Sequence, residues 1–162
     1  MRVAIFSDLH DNLPNLNLFL NWVNKNKIDN LIFCGDLASA DTLKELAAGF
    51  KKDIFIVGGN ADSFYKKEVA QFKNITYNQE KLEFKLDNKK IIIVHKPTDL
   101  RKYLAEDNSF DFAFYGHTHK PWIKQEDGVI VANPGTLKEY LGRSSFATLD
   151  TKNGKLELKI LE

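Results

Sequence analysis

Asp8 and His10 in DLH, Asp36 in GD, Asn60 in GGN, His95 in VH, and His117 and His119 in GHTH share one position in the local pattern. Each follows closely on a short apolar run: AIFS, LIFC, IFIV, IIIV and FAFY. The chain has four histidines, and all four belong to this set. Glycines 35, 59 and 116 precede ligand-type residues, where a missing side chain would let the backbone turn sharply and bring the next side chain inward. Imidazole and carboxylate without thiolate suit a first-row divalent cation such as Mn²⁺, Fe²⁺, Zn²⁺, Co²⁺ or Ni²⁺. Seven such groups are too many for one tetrahedral ion. They match two ions that share a carboxylate and keep room for water or substrate. Ions paired in this way, about 3.5–4 Å apart, typically serve in-line displacement at phosphorus.

Singly, each residue has an ordinary reading. A lone histidine is as often a surface or core residue as a ligand, Asp36 after glycine is a common turn, and Asn60 in GGNAD is a turn residue by itself. Four histidines at successive strand ends, with partners, outweigh those readings. Asp62 suits either an orienting role beside Asn60 or a helix cap. Cys34 reads as a small core residue, NPGT (133–136) as a turn, and Lys96 and Arg143 as solvated cations with phosphate binding as the alternative.

The elements that must position these residues follow from hydrophobic periodicity. Apolar runs at 2–6, 30–36 and 53–60 read as buried strands. Between them, 12–26 carries Leu16, Phe19, Leu20 and Val23 at helical spacing, with Pro14 in its first turn. The stretch 39–50 repeats the pattern with Leu43, Leu46, Ala47 and Phe50, and Asp41 is expected to cap it. This β-α-β-α-β opening predicts a parallel sheet covered by helices. Residues 63–80 carry no clear period. Residues 81–95 predict a hairpin turning at Asp87-Asn88, and 99–107 a short helix. The dipeptides Asp127-Gly128 and Asn153-Gly154 predict two further tight hairpins. The first half is thus α/β and the second mostly β. In open α/β sheets, sites assemble where loops converge at the carboxyl ends of strands.

Bulk composition sets the outer limits. At 162 residues, with 43% hydrophobic and 28% charged residues, the chain has the composition of a globular protein and the length of one domain spanning 1–162. Lys+Arg is 23 against Asp+Glu 22, so no net field selects nucleic acid or an anionic membrane. A single cysteine excludes an internal disulfide and fits a reducing compartment. The start, MRVAIFSDLH, turns polar too soon for a signal peptide, and no apolar run approaches the ~20 residues of a membrane span. The expectation is a cytoplasmic protein without a membrane partner, in which a homo-oligomer is allowed.

The ordered series DLH, GD, GGN, VH and GHTH resembles the calcineurin-like metallophosphoesterases, most of all their small single-domain bacterial and archaeal phosphodiesterase branch. The resemblance runs from residue 1 to about 150 and includes NPGT (133–136) and SFATLD (145–150). It implies a four-layer α/β/β/α sandwich of two mixed sheets. It implies that Asp8, His10 and His119 hold one divalent ion, that Asn60, His95 and His117 hold the other, and that Asp36 bridges them. Manganese leads the candidate ions, with zinc, iron, nickel and cobalt behind it. Asp36, Asn60 and His95 would also be the catalytic residues, and a hydroxide acidified by both ions would attack the phosphorus of a phosphodiester substrate. A phosphatase-fold interaction module with residual metal binding, like the retromer subunit of this architecture, is the alternative; such a module can lose ligands, and this chain keeps the whole set.

Three positions depart from the wider family. Ala61 stands where many larger phosphatases have a histidine proposed as an acid for the leaving group. His95 is followed by Lys96-Pro97 in place of the usual glycine. Asp11 stands where a small residue is common after the DxH.

Overall fold

A computed structural model describes residues 1–64, 66–139 and 141–162. Strand β1 (Arg2–Phe6) leads into helix α1 (Leu13–Lys25), β2 (Asn30–Phe33) into α2 (Ala40–Gly49), and β3 (Ile54–Val57) into α3 (Lys66–Val69) and β4 (Ile75–Asn78). Then follow β5 (Lys81–Leu86), β6 (Lys89–Val94), helix α4 (Pro97–Glu106) and β7 (Phe112–Phe114). The hairpins β8–β9 (Trp122–Glu126, Val129–Asn133) and β10–β11 (Ser144–Asp150, Lys155–Leu161) close the chain.

The strands form two mixed sheets, ordered β11-β10-β1-β2-β3-β4 and β5-β6-β7-β9-β8. In the first, β1 to β4 run parallel and β10 pairs antiparallel with β1. In the second, β6, β7 and β9 are parallel, with antiparallel β5 and β8 at the edges. The sheets therefore do not divide the chain at its midpoint, because the last hairpin returns to the first sheet.

Alternation along each strand explains the layers. Ala4 and Phe6 of β1, with Leu31 and Phe33 of β2, pack against Leu16, Phe19 and Leu20 of α1 and Leu43 and Leu46 of α2. Val3, Ile5 and Ile32, on the opposite face, meet Ile91, Ile93, Phe112 and Phe114 of the second sheet. Ile92, Val94 and Ala113 face outward and are covered by Leu100 of α4 together with Phe110. Three apolar seams between four layers reproduce the α/β/β/α sandwich. Because β1, β2 and β6 are buried on both faces, they read as unbroken apolar runs.

Several local expectations need correction. Ser39, not Asp41, caps α2: its side chain accepts from Thr42 N, and Asp41 lies in the first turn. The predicted strand 53–60 ends at Val57, and its polar end forms the site loop. Asn153-Gly154 does not form a two-residue turn; it ends the four-residue connection Thr151–Gly154. The unreadable middle contains the one-turn α3 and the half-exposed strand β4.

Candidate metal centre

Residues from both sheets converge at one edge. Asp8 and His10 follow β1, Asp36 follows β2, Asn60 follows β3, His95 follows β6, and His117 and His119 follow β7. Asp8, His10 and His119 form one compact group of ligand atoms, and Asp36, His95 and His117 form a second. Asn60 joins the second group, with its Oδ1 3.0 Å from His95 Nε2. The two histidines of GHTH thus fall in different groups. Asp36 Oδ2 lies 3.7 Å from His10 Nε2 and 3.4 Å from His95 Nε2, between the groups.

The site is graded in depth. Asp8, Asp36 and His95 form a buried floor, whereas Asn60 and His117 are exposed at its mouth. Main-chain bonds fix the loops to one another. Asp8 N donates to Gly35 O (2.9 Å), Leu9 N and His10 N to Asp36 O (2.9 and 3.0 Å), and Gly116 N to His95 O (3.0 Å). Asp8, His10, Asp36, His117 and His119 all adopt positive φ, between 47° and 65°. Side chains other than glycine resist this region, and such strain concentrates at functional sites.

The expectation that glycines 59 and 116 supply the turn is therefore incomplete, because the ligands themselves turn. Those glycines provide room instead. A Cβ on Gly59 would stand 2.1 Å from Asp36 N, and one on Gly116 would stand 1.9 Å from Ser7 Oγ.

The electrostatics favour a cation. Burial pushes the Asp8 carboxyl up to about 6. Burial also pushes Asp36 up, but the adjacent His95 imidazole and the hydrogen bond from Ala61 N (2.7 Å) outweigh it, and its pKa lies below the usual carboxylate value. Burial works against protonating His95, yet Asp36 and the Cys34 carbonyl together raise its pKa. Burial lowers His10 and His119, with Lys138 adding to the effect in both. His95 Nδ1 lies 2.8 Å from the carbonyl oxygen of Cys34, which can only accept, so the proton belongs on Nδ1 and the Nε2 lone pair faces the cluster. There it meets the oxygens Asn60 Oδ1 and Asp36 Oδ2 and, at 3.3 Å, the ring nitrogen His117 Nδ1. His10 Nε2 is buried with no hydrogen-bond partner among the described residues. Among those residues the two buried carboxylates have no lysine or arginine partner. Converging lone pairs and uncompensated buried negative charge are what divalent cations satisfy. The donor set fits them.

Sequence reasoning left several supporting residues undecided. Asn133, fully buried, donates from Nδ2 to Gly116 O (2.8 Å) and Thr118 Oγ1 (3.0 Å). Thr136 Oγ1 donates to Asp8 O (2.6 Å), and Lys138 N to the same oxygen (3.0 Å). NPGT therefore fastens the Asp8 and His117 loops together. Asp62 is an orienter rather than a cap: its carboxylate accepts from Gly59 N (2.7 Å) and Ala38 N (2.9 Å), and α3 begins only at Lys66. Lys96 lies beside Asn60 and His95 on a cavity wall, while Arg143 lies in a separate depression near His119. Cys34 is a buried free thiol.

Comparison with known proteins accords with this geometry. Residues 1–154 match the model of the calcineurin-like phosphoesterase superfamily domain, and the chain belongs to that superfamily. It is 30% identical, over 100% of both chains, to the protein named phosphodiesterase MJ0936 from Methanocaldococcus jannaschii. A structure described as a novel archaeal phosphodiesterase superimposes with TM-score 0.89 at 28% identity, covering 99% of this chain and 100% of that one. Vps29 from Entamoeba histolytica, solved in complex with Zn²⁺, superimposes with TM-score 0.70 at 19% identity over 100% of both chains, which shows the shared fold alone.

Proposed function

We propose that this protein is a phosphodiesterase that hydrolyses phosphodiester bonds with two divalent cations, its residues 1–162 acting as one domain. Asp8, His10 and His119 would hold one cation, Asn60, His95 and His117 the other, and Asp36 would contact both. The observation that carries this reading is the position of Asp36 Oδ2, within 3.7 Å of a histidine nitrogen from each group. Mixed imidazole, carboxylate and amide donors suit manganese first, with zinc, iron, nickel and cobalt as substitutes. Cations bound there supply Lewis acidity toward a phosphoryl oxygen and acidify water.

The chain's own residues do the positioning. The Cys34 carbonyl fixes the His95 tautomer, so the ring presents a lone pair without rearrangement. Asp36 is held by Ala61 N–H through Oδ1, which leaves Oδ2 between the two groups. Asp62 orients the Gly59 amide and with it the Asn60 loop. The intact ligand set favours an enzyme over an interaction module. No helix among the described residues is long and apolar enough to cross a membrane. The lone buried thiol suits the reducing cytoplasm.

The test combines metal titration with hydrolysis. Protein stripped with chelator should bind two Mn²⁺ per chain by calorimetry and then cleave bis(p-nitrophenyl) phosphate. Asp36→Asn, which keeps an acceptor for Ala61 N–H, should lower both occupancy and rate. Two ions bound with full activity in Asp36→Asn would refute the role given to Asp36. An absence of diester hydrolysis with every metal tried would refute the activity.

A further inference from the structure

A cavity of about 440 Å³ opens directly beside Asn60 and His95. Its outer wall is one face of α4 and the residue before it: Lys96, Asp99, Lys102 and Tyr103 follow the i, i+3, i+6, i+7 spacing of a helical stripe. Gln79 and Glu80, from the turn between β4 and β5, form the facing wall. Helix α4 packs on the core through Leu100 and Leu104, with Tyr103 partly buried beside them, and leaves Lys96, Asp99 and Lys102 exposed along the cavity.

The lining carries charges of both signs. Lys96, Asp99 and Lys102 stand on the α4 wall and Glu80 on the facing one, and these four charges sum to zero. Among the described residues none of these four forms an ion pair or a side-chain hydrogen bond; Lys102 only approaches the Tyr103 ring, at 5.8 Å. Gln79 accepts from the Tyr77 hydroxyl through Oε1, and its amide nitrogen packs where a Cβ on Gly58 would stand, 2.5 Å away. Its N–H donors are thereby held on the wall. Among the described residues Tyr103 provides the phenyl-type surface of the cavity, and Lys81 Nζ sits 4.3 Å from that ring's centroid.

We infer that this cavity seats one ester arm of the diester, and that the arm is a neutral, hydroxyl-rich group such as a glyceryl or pentosyl unit. The inference rests on the diesterase reading above. A hydroxyl donates and accepts at once, so each can join an ammonium or amide to a carboxylate across the cavity. An arm with further negative charge meets Glu80 and Asp99 as well as the lysines and gains little. An aryl or alkyl arm finds one ring to pack on and strips water from polar groups it cannot pair. Sites built to hydrogen-bond a hydroxyl discriminate strongly against analogues that lack it. The size of the cavity suits a group no larger than a nucleoside.

The test uses the Mn²⁺-loaded protein and two readouts. The first is the ratio of kcat/KM for bis(glyceryl) phosphate to that for bis(p-nitrophenyl) phosphate. Asp99→Asn combined with Lys102→Met should lower this ratio at least tenfold relative to wild type, and Lys102→Arg alone should largely preserve it. The second is calorimetric binding of glycerol 3-phosphate, ribose 5-phosphate and ethyl phosphate. One or both hydroxylated esters should bind at least fivefold tighter than ethyl phosphate, and the double variant should abolish that margin; the tighter of the two identifies the arm. Equal affinity for the three monoesters, or an unchanged kcat/KM ratio in the double variant, would overturn the inference. If the wild type cleaves neither diester, the diesterase reading fails, and the binding margin alone decides the cavity.

Discussion

The main-chain amide of His117 donates to both carboxylate oxygens of Asp8, at 3.2 and 3.0 Å. Asp8 follows the first strand of one sheet and His117 follows a central strand of the other, 109 residues later. One charge-assisted contact therefore joins the two sheets and the two ligand groups. The side chain of one group is held by the backbone of the other, so the groups share a frame while keeping separate donor atoms.

That arrangement predicts separable metal loss. His119→Ala removes an imidazole from the Asp8/His10 group but leaves the His117 amide in place. His95→Ala removes one from the Asp36/His117 group. Two-site calorimetry with Mn²⁺ should show each variant weakening a different ion by about 10–100-fold or more, the range seen even for groups behind the ligands. Structures of the two variants soaked in metal should show different ions missing. Loss of the same ion in both would mean that the partition is wrong.

Proton competition gives a second expectation. With its pKa raised to about 6 in the metal-free protein, Asp8 is protonated below that pH, and a cation must displace the proton. Apparent metal affinity should therefore fall as pH drops below about 6, by up to about tenfold per unit from this one group. His95, whose pKa is also raised, acts in the same direction. Mn²⁺ titrations at pH 5, 6 and 7, in buffers of differing ionisation enthalpy, should show weaker binding and more proton release at pH 5. Equal affinity at pH 5 and pH 7 would contradict it.

Ala61 governs a third. Its contribution to the centre is its main-chain N–H, which donates to Asp36, and its methyl group has no proton to offer a leaving alkoxide. Aryl diesters should react faster as the leaving-group pKa falls, giving a steep negative slope of log kcat/KM against that pKa. A flat slope, with chemistry shown to limit the rate, would require an acid elsewhere in the site.

How much of this was legible depended on where each residue's partners lie. The strands leading to the ligands were legible because burial on both faces leaves no polar position to interrupt them, as in β1, β2 and β6. The convergence of Asp8, Asp36, His95 and His117 followed from strand ends alone. By contrast, β4 is only four residues long, half-exposed at a sheet edge, and α3 spans one turn, so neither is long enough to establish a period. The roles of Asn133 and Thr136 were hidden because a side chain bonded to a carbonyl 128 residues away, as Thr136 is to Asp8, leaves no trace in local pattern. Ser39 and Asp41 are both good capping types two residues apart, and only geometry separates them.

Asp11, the departure after the DxH, has a structural explanation and yields the fourth prediction. Its Oδ1 accepts from Ser39 N (3.1 Å), Ser39 Oγ (2.7 Å) and the Thr42 hydroxyl, which ties the Asp8/His10 loop to the N-terminus of α2. Partial burial pushes the carboxyl pKa up, but the bonds from Thr42 and Ser39 outweigh it and hold the value below the usual range. The carboxylate is exposed to solvent, so the stabilisation is discounted to about 1–2 kcal/mol, or roughly 2–8 °C in Tm for a chain of this length. The sign follows from the depressed folded pKa. The contribution is fully present above the unfolded value of about 4 and disappears as pH falls through the lower folded value. Asp11→Asn keeps an acceptor oxygen but loses the charge. Its Tm should lie below wild type at pH 7, and the gap should close as pH falls below about 4, measured by calorimetry on metal-free protein. A gap of the same size at pH 3 and pH 7 would show that the charge of Asp11 contributes nothing to holding the loop.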